Sequence, residues 1–294
     1  MAYLQVGTEN SAPINIYYED HGSGTPVVLI HGWPLSSRSW EKQVPALLSA
    51  GFRVISYDRR GFGHSSQPAT GYDANTLAAD LDVLMTELDL KDAILVGFSM
   101  GGAEVARYVG QYGSARVSKA VFISSVAPYL LKNEENQEGV EASVFEGIRK
   151  SVIEDRPKFL TTFFKDFYNT RLLENISSEA AHTSWVTAVG ASPIATLKCI
   201  DSWLEDFRHD LQSFDIPTLV VHGDEDKIVP IKASSERMQK YVSNCVFFPI
   251  SGAPHGLTWT HAEELNPVLL DFVGRSVTRP SLTTSKSNSA SKIH

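Results

Sequence analysis

Ser99 stands in Gly97-Phe98-Ser99-Met100-Gly101, a G-x-S-x-G pattern. A serine hydroxyl attacks a carbonyl only when it is turned out of the chain and a base takes its proton. The flanks meet the first requirement. The apolar run Ala93-Ile94-Leu95-Val96 leads in, and helix-like residues 102–109 lead out. Strand, sharp turn and helix are the setting that lifts such a serine above a sheet edge. The two glycines tolerate a turn too tight for bulkier neighbours. The turn also leaves amides at a helix N-terminus facing any negative charge that develops nearby.

The base must be a histidine with an acid to orient it. In a strand–turn–helix setting of this kind the chain order is serine, acid, histidine. Of 9 histidines, His255, His261 and His294 follow a plausible acid. His294 lies at the end of a polar tail, and His261 opens the last helical stretch. His255 sits in Gly252-Ala253-Pro254-His255-Gly256, a turn just after an apolar run, and is the candidate base. Asp224, Glu225 and Asp226 all lie in the turn past Gly223, and the residues alone do not separate them. A tetrahedral intermediate needs two amide donors on its oxyanion. The Met100 amide, directly after the nucleophile, is one candidate. The Trp33 amide, in His31-Gly32-Trp33-Pro34 at the end of another apolar run, is the other. His31 has no partner at metal-ligand spacing and is expected to shape that loop.

These residues need elements to hold them in place. Residues 3–7 and 14–19 alternate as a hairpin would. The runs 27–30, 52–57, 92–98 and 119–125 are apolar enough for strands buried on both faces. Helical spacing appears over 39–48 and over 76–88, the latter with Leu77, Leu81, Leu84, Met85 and Leu88 on one face. Such alternation predicts an α/β fold, a mostly parallel sheet with helices on both faces. Strand signals then stop between Ser125 and Pro217, a span too long for a loop and rich in helical aromatics. They resume at 218–222 and 245–250, with helices over 234–241 and 263–273. The division expected is a core of 1–126 and 216–275, a helical cap of 127–215 inserted before the late strands, and a disordered tail of 276–294.

Bulk properties narrow the class further. The 294 residues are 43% hydrophobic and 20% charged, with net charge -8 and no basic stripe. That argues against nucleic-acid binding as the main role. The first residues lack the basic start and apolar core of a signal peptide, and no apolar run approaches the ~18 residues of a membrane span. The 2 cysteines, Cys199 and Cys245, sit in apolar surroundings and read as buried free thiols. A soluble cytoplasmic protein is expected.

Taken together, the chain resembles the α/β-hydrolase superfamily over roughly residues 3–275, and within it the cofactor-free haloperoxidase, perhydrolase and arylesterase branch. The resemblance rests on His31-Gly32-Trp33-Pro34-Leu35, Tyr57-Asp58-Arg59-Arg60-Gly61-Phe62-Gly63, Gly97 to Gly102, His222-Gly223-Asp224 with Asp226, and Gly252 to Leu257. It implies Asp226 as the acid, the fourth residue of G-x-x-D, and the amides of Trp33 and Met100 as the oxyanion hole. It implies no metal and no cofactor. Pro34 follows the oxyanion-loop aromatic, as in members with perhydrolase activity, where the Trp33 carbonyl is held to accept from peroxide.

The expected function is a serine hydrolase of small carboxylic esters. Ser99 attacks, His255 takes the proton, Asp226 holds the imidazole, and water or hydrogen peroxide releases the acyl group as acid or peracid. The expected substrate pocket draws on Pro34, Phe98, Phe159, Phe163 and Phe164, although such aromatics also serve simply to pack a cap. Partners expected are a small ester or carboxylic acid and hydrogen peroxide, with no nucleic acid and no membrane. The oligomeric state is left open, a homo-oligomer included. Two other classes fit the same residues: a lactam or carbon–carbon hydrolase using the triad, and a slow-turnover ligand receptor on the fold. A dehalogenase or epoxide hydrolase is disfavoured, because serine and not aspartate holds the nucleophile position.

Overall fold

The computed structural model describes residues 2–170 and 176–276. Eight strands form one sheet: β1 (Ala2–Glu9), β2 (Ala12–His21), β3 (Pro26–Ile30), β4 (Arg53–Asp58), β5 (Ala93–Phe98), β6 (Val117–Ile123), β7 (Thr218–Gly223) and β8 (Cys245–Ile250), in the order β1-β2-β4-β3-β5-β6-β7-β8. The opening hairpin is antiparallel, β2 pairs antiparallel with β4, and every pairing from β4 to β8 is parallel. Strands β5, β6 and β7 are buried at every residue. That is why they read as continuous apolar runs rather than alternating ones.

Helices α1 (Gln43–Ser49), α2 (Ala74–Glu87) and α3 (Met100–Tyr112) fill the first half. Asp73 caps α2, its carboxylate accepting the Thr76 amide at 3.0 Å. Helices α4 (Ala142–Phe167), α5 (Ser178–Gly190), α6 (Pro193–Ser202) and α7 (Arg208–Leu211) lie between β6 and β7. Helices α8 (Leu257–Thr260) and α9 (Ala262–Gly274) close the described chain, α9 packing on α1 and α2 on α3. Among the described residues no helix is long and apolar enough to cross a membrane. The tail expected over 276–294 lies outside the described residues from 277 onward.

Helix α4 is bent at Asp155, where φ is -158° and ψ 83°. The sequence explains the bend. Pro157 cannot donate to the turn before it. The Asp155 carboxylate accepts the Lys158 amide at 3.0 Å, as an N-cap does for a second helix. Two expected helices differ in detail. Residues 39–48 split into a 3-10 turn, Ser37–Trp40, and α1. Residues 234–241 form 3-10 turns, Ile231–Ala233 and Ser235–Lys240. Ser235 and Met238 are both buried, and a three-residue turn puts them on one side. Both cysteines are free, but Cys245 is only half-buried where full burial was expected.

Candidate active site

The C-terminal ends of β3, β5, β7 and β8 bring the predicted residues to one place. Ser99 sits between β5 and α3 with φ 55° and ψ -119°, a backbone state that side chains rarely adopt. The neighbouring glycines make that state reachable. A Cβ on Gly97 would come within 2.4 Å of the Gly101 carbonyl oxygen, and one on Gly101 within 2.2 Å of the Ile30 carbonyl oxygen. Helix α3 therefore starts hard against the ends of β3 and β5.

His255, in the loop after β8, faces Ser99 with Nε2 2.9 Å from Oγ. Its Nδ1 lies 2.6 Å from Asp226 Oδ2. Of the three acids the residues left open, Asp226 is the one in contact. Asp224 turns away to accept the Gly252 amide at 2.6 Å. The second Asp226 oxygen, Oδ1, accepts the amides of Ile228 and Val229 at 2.9 and 2.8 Å. Burial pushes the Asp226 carboxyl up. The charge of His255 and hydrogen bonds from His222 and His255 outweigh burial and hold the group well below the usual carboxylate range. The His255 loop is itself fixed, the Gly256 amide donating to the Phe167 carbonyl at 2.8 Å.

Met100 is the first residue of α3, so its amide has no carbonyl one turn behind it within the helix. The loop bearing Trp33 passes beside the serine: a Cβ on Gly32 would stand 3.0 Å from the Ser99 Cβ. A buried network ties the loop to α3. Arg59 donates from Nη2 to the His31 carbonyl at 2.9 Å and from Nε to Glu104 at 2.8 Å, and the Tyr57 hydroxyl donates to Glu104. The Arg59 amide donates to His31 Nε2 at 3.1 Å, so that ring is neutral and carries its proton on Nδ1, toward the Gly32 carbonyl. Burial, then the Arg59 charge, hold the His31 imidazole well below its ordinary range. His31 thus shapes the loop, as its sequence context suggests. The Trp33–Pro34 peptide bond is cis.

Above the serine lies a cavity of about 200 Å³. Ser99, His255 and Trp33 form one end, and residues of α4 form much of the rest. Phe159 and Phe163 line it as expected. Three expected pocket residues do not. Phe98 is fully buried beneath the His255 ring, centroids 5.2 Å apart, and supports the base rather than touching the cavity. Phe164 is buried against Phe163, Phe167 and Tyr168 and does not line the cavity. Pro34 is not in the lining. Trp203, Ile148, Asp166 and Lys227 line the cavity and were missed. Asp166 follows Phe159 and Phe163 at helical spacing, a signal the sequence does contain. Lys227 directly follows the acid. His222 was quoted only as part of a motif, yet its Nε2 lies 3.0 Å from Asp226 Oδ2.

A serine, a histidine and a carboxylate in one row of contacts, with a helix N-terminal amide beside the serine and a largely apolar roof above it, are an arrangement able to carry out acyl transfer. The family model for the α/β-hydrolase fold matches residues 25–262, and the chain belongs to that family. Its similarity runs to the non-heme haloperoxidases. It is 56% identical over 275 residues to a Synechocystis sp. protein provisionally assigned as a non-heme chloroperoxidase, covering 93% of this chain and 100% of that one. It is 34% identical over 265 residues to a bifunctional esterase/perhydrolase of Acinetobacter calcoaceticus, covering 88% and 96%. The crystal structure of a bromoperoxidase from Bacillus anthracis matches with a TM-score of 0.90 at 49% identity, over 93% of this chain and 99% of that one.

Proposed function

We propose that this enzyme hydrolyses small carboxylic esters through an acyl-enzyme on Ser99, and that hydrogen peroxide can replace water in releasing the acyl group. The observation that carries the reading is the continuous chain of contacts from Ser99 Oγ through His255 to Asp226, at 2.9 and 2.6 Å. In the first half-reaction Oγ attacks the carbonyl carbon while His255 Nε2 takes its proton. The Trp33 and Met100 amides receive the oxyanion. The intermediate collapses, and His255 returns the proton to the leaving alcohol. In the second half, His255 deprotonates water to give the acid, or hydrogen peroxide to give the peracid. Peracid and a proton oxidise halide to hypohalous acid and regenerate the carboxylic acid. No residue of the chain changes oxidation state.

Support for both outcomes comes from relatives described as chloroperoxidase and as esterase/perhydrolase. Helices α4 to α6 act, on this reading, as a cap over a hydrolase core. The test is paired kinetics on a short-chain aryl ester, and on acetate with peroxide and halide. Ser99→Ala is expected to lose both activities by at least ~10³-fold while remaining folded, since the nucleophile and base work as a unit. Retention of halogenation alone in the variant would require a second route that bypasses the acyl-enzyme.

A further inference from the structure

The Asp226 carboxylate serves two histidines. Its Oδ2 lies 2.6 Å from His255 Nδ1 and 3.0 Å from His222 Nε2. His222 is the next-to-last residue of β7 and is fully buried. Its ring is fixed on both sides. Nε2 also lies 2.9 Å from the Val229 carbonyl, and Nδ1 lies 2.6 Å from the Ser235 hydroxyl. A carbonyl and an ionised carboxylate have no proton to give, so Nε2 carries the hydrogen. Nδ1 lies against the Ser235 hydroxyl, which is able to donate to it. Ester hydrolysis needs one histidine on the acid, and the acyl-enzyme scheme gives the second no work.

We propose that His222 is a positioning residue that sets the pH range of the reaction by drawing on the same carboxylate oxygen as the base. The proposal rests on the Ser99–His255–Asp226 reading. The Nε2–H of His222, whose hydrogen-bond acceptor is the Val229 carbonyl at 2.9 Å, also stands 3.0 Å from Oδ2 and offsets part of the negative charge that would otherwise stabilise a protonated His255. His255 therefore gives up its proton more readily and stays competent as a base in more acidic solution. The Ile228 and Val229 amides on Oδ1 hold the carboxylate plane in place between the two rings.

Other charged groups do not occupy this role. From the same turn, Asp224 is engaged with the Gly252 amide, and Lys227 reaches Asn169 at 2.6 Å. From the 3-10 turn only the neutral Ser235 contacts His222. On the far side His255 meets the Phe98 and Phe167 rings and Ser99. Asp166 and Lys227 line the same cavity as His255 and form the same background in every variant below.

The experiment is the pH profile of kcat/KM for an aryl ester in the wild type, His222→Phe and His222→Gln. Phenylalanine keeps the ring volume and removes the donor. Glutamine places an amide N–H where Nε2 was. With phenylalanine the acid limb is expected to move to higher pH by about half to one unit, and with glutamine to return close to its wild-type position. If both variants slow the enzyme evenly and the limb stays in place, His222 is structural and the proposal is overturned. The ring state is checked independently of any variant's folding by ¹⁵N NMR of the histidine-labelled wild type. A proton on Nε2 of His222 supports the proposal; a proton on Nδ1 alone overturns it. Labelling by a fluorophosphonate separates this failure from the deeper one. A wild type that is not labelled at Ser99 removes the triad reading and this proposal with it, whereas labelling with an unmoved limb removes only the proposal.

Discussion

The acid shows how much one side chain is asked to do. Both oxygens of Asp226 are committed: Oδ1 to two amides, Oδ2 to two imidazole rings. An asparagine there has one acceptor for two places. With its oxygen held by the Ile228 and Val229 amides, its NH₂ faces two ring N–H groups, and His255 is driven to the wrong tautomer for deprotonating Ser99. Asp226→Asn is therefore expected to lower kcat/KM by about 10³ to 10⁴-fold, measured on an aryl ester. The same variant reads out stability. The Asp226 carboxyl is held below its ordinary range in the folded protein, so its contribution is present above the unfolded value near 4 and disappears as pH falls toward the folded one. Urea unfolding of the wild type is expected to weaken steeply on acidifying below about pH 4, and the asparagine variant less steeply. Equal slopes in the two proteins would mean that Asp226 contributes nothing to the acid limb of stability.

Elements decide whether these side chains meet at all. Helix α3 begins one residue after the nucleophile, and Gly101 lets it lie against the β3 carbonyls. Gly101→Ala puts a methyl group 2.2 Å from the Ile30 carbonyl oxygen, which is backbone and cannot swing aside. The strand end and the Trp33 loop must move, at a cost of about 1–3 kcal/mol in overpacking. The expected outcome is a lower urea midpoint together with fluorophosphonate labelling slowed by more than the stability loss explains. Normal labelling in a destabilised variant would show that the elbow tolerates the shift. The strands were legible because burial on both faces leaves a plain apolar run, as in Val27-Val28-Leu29-Ile30. That Ser99, His255 and a carboxylate of the turn past Gly223 come together was legible because glycine-rich turns advertise themselves. The choice of Asp226 over Asp224 and Glu225 was not readable in the residues alone, since one turn can aim any of the three. Phe98 and Phe164 were misplaced for a related reason. An aromatic type says that a side chain will be buried, not which side of it the cavity occupies. His222 was missed because its role depends on a carbonyl, a hydroxyl and a carboxylate that meet only after β7, the 3-10 turn and the β8 loop are assembled.

At the scale of the whole molecule, the proposed function puts chemistry and selection on different parts of the chain. The reacting groups stand on loops at strand ends, while the cavity roof comes largely from α4, part of an insertion between β6 and β7. A fold does not by itself fix the reaction; the site residues on the core and the helices covering them do. On the proposed ester-hydrolase reading, about 200 Å³ of largely apolar space favours short acyl groups over longer ones, which would press on the roof. Ile148 lines the cavity from the first half of α4 and is only partly buried, so its truncation removes wall without opening the core. Ile153 lies on the same half-helix, is 71% exposed, and does not line the cavity. Each methylene newly accommodated is worth about 0.8 kcal/mol, or roughly fourfold in selectivity. Across p-nitrophenyl esters from acetate to octanoate, Ile148→Ala is expected to raise the octanoate-to-acetate ratio of kcat/KM by at least about tenfold, room for two methylenes. Ile153→Ala is expected to leave that ratio where it was. If the two substitutions shift the ratio alike, the effect comes from loosening α4 as a whole, and the roof selects by mobility rather than by shape.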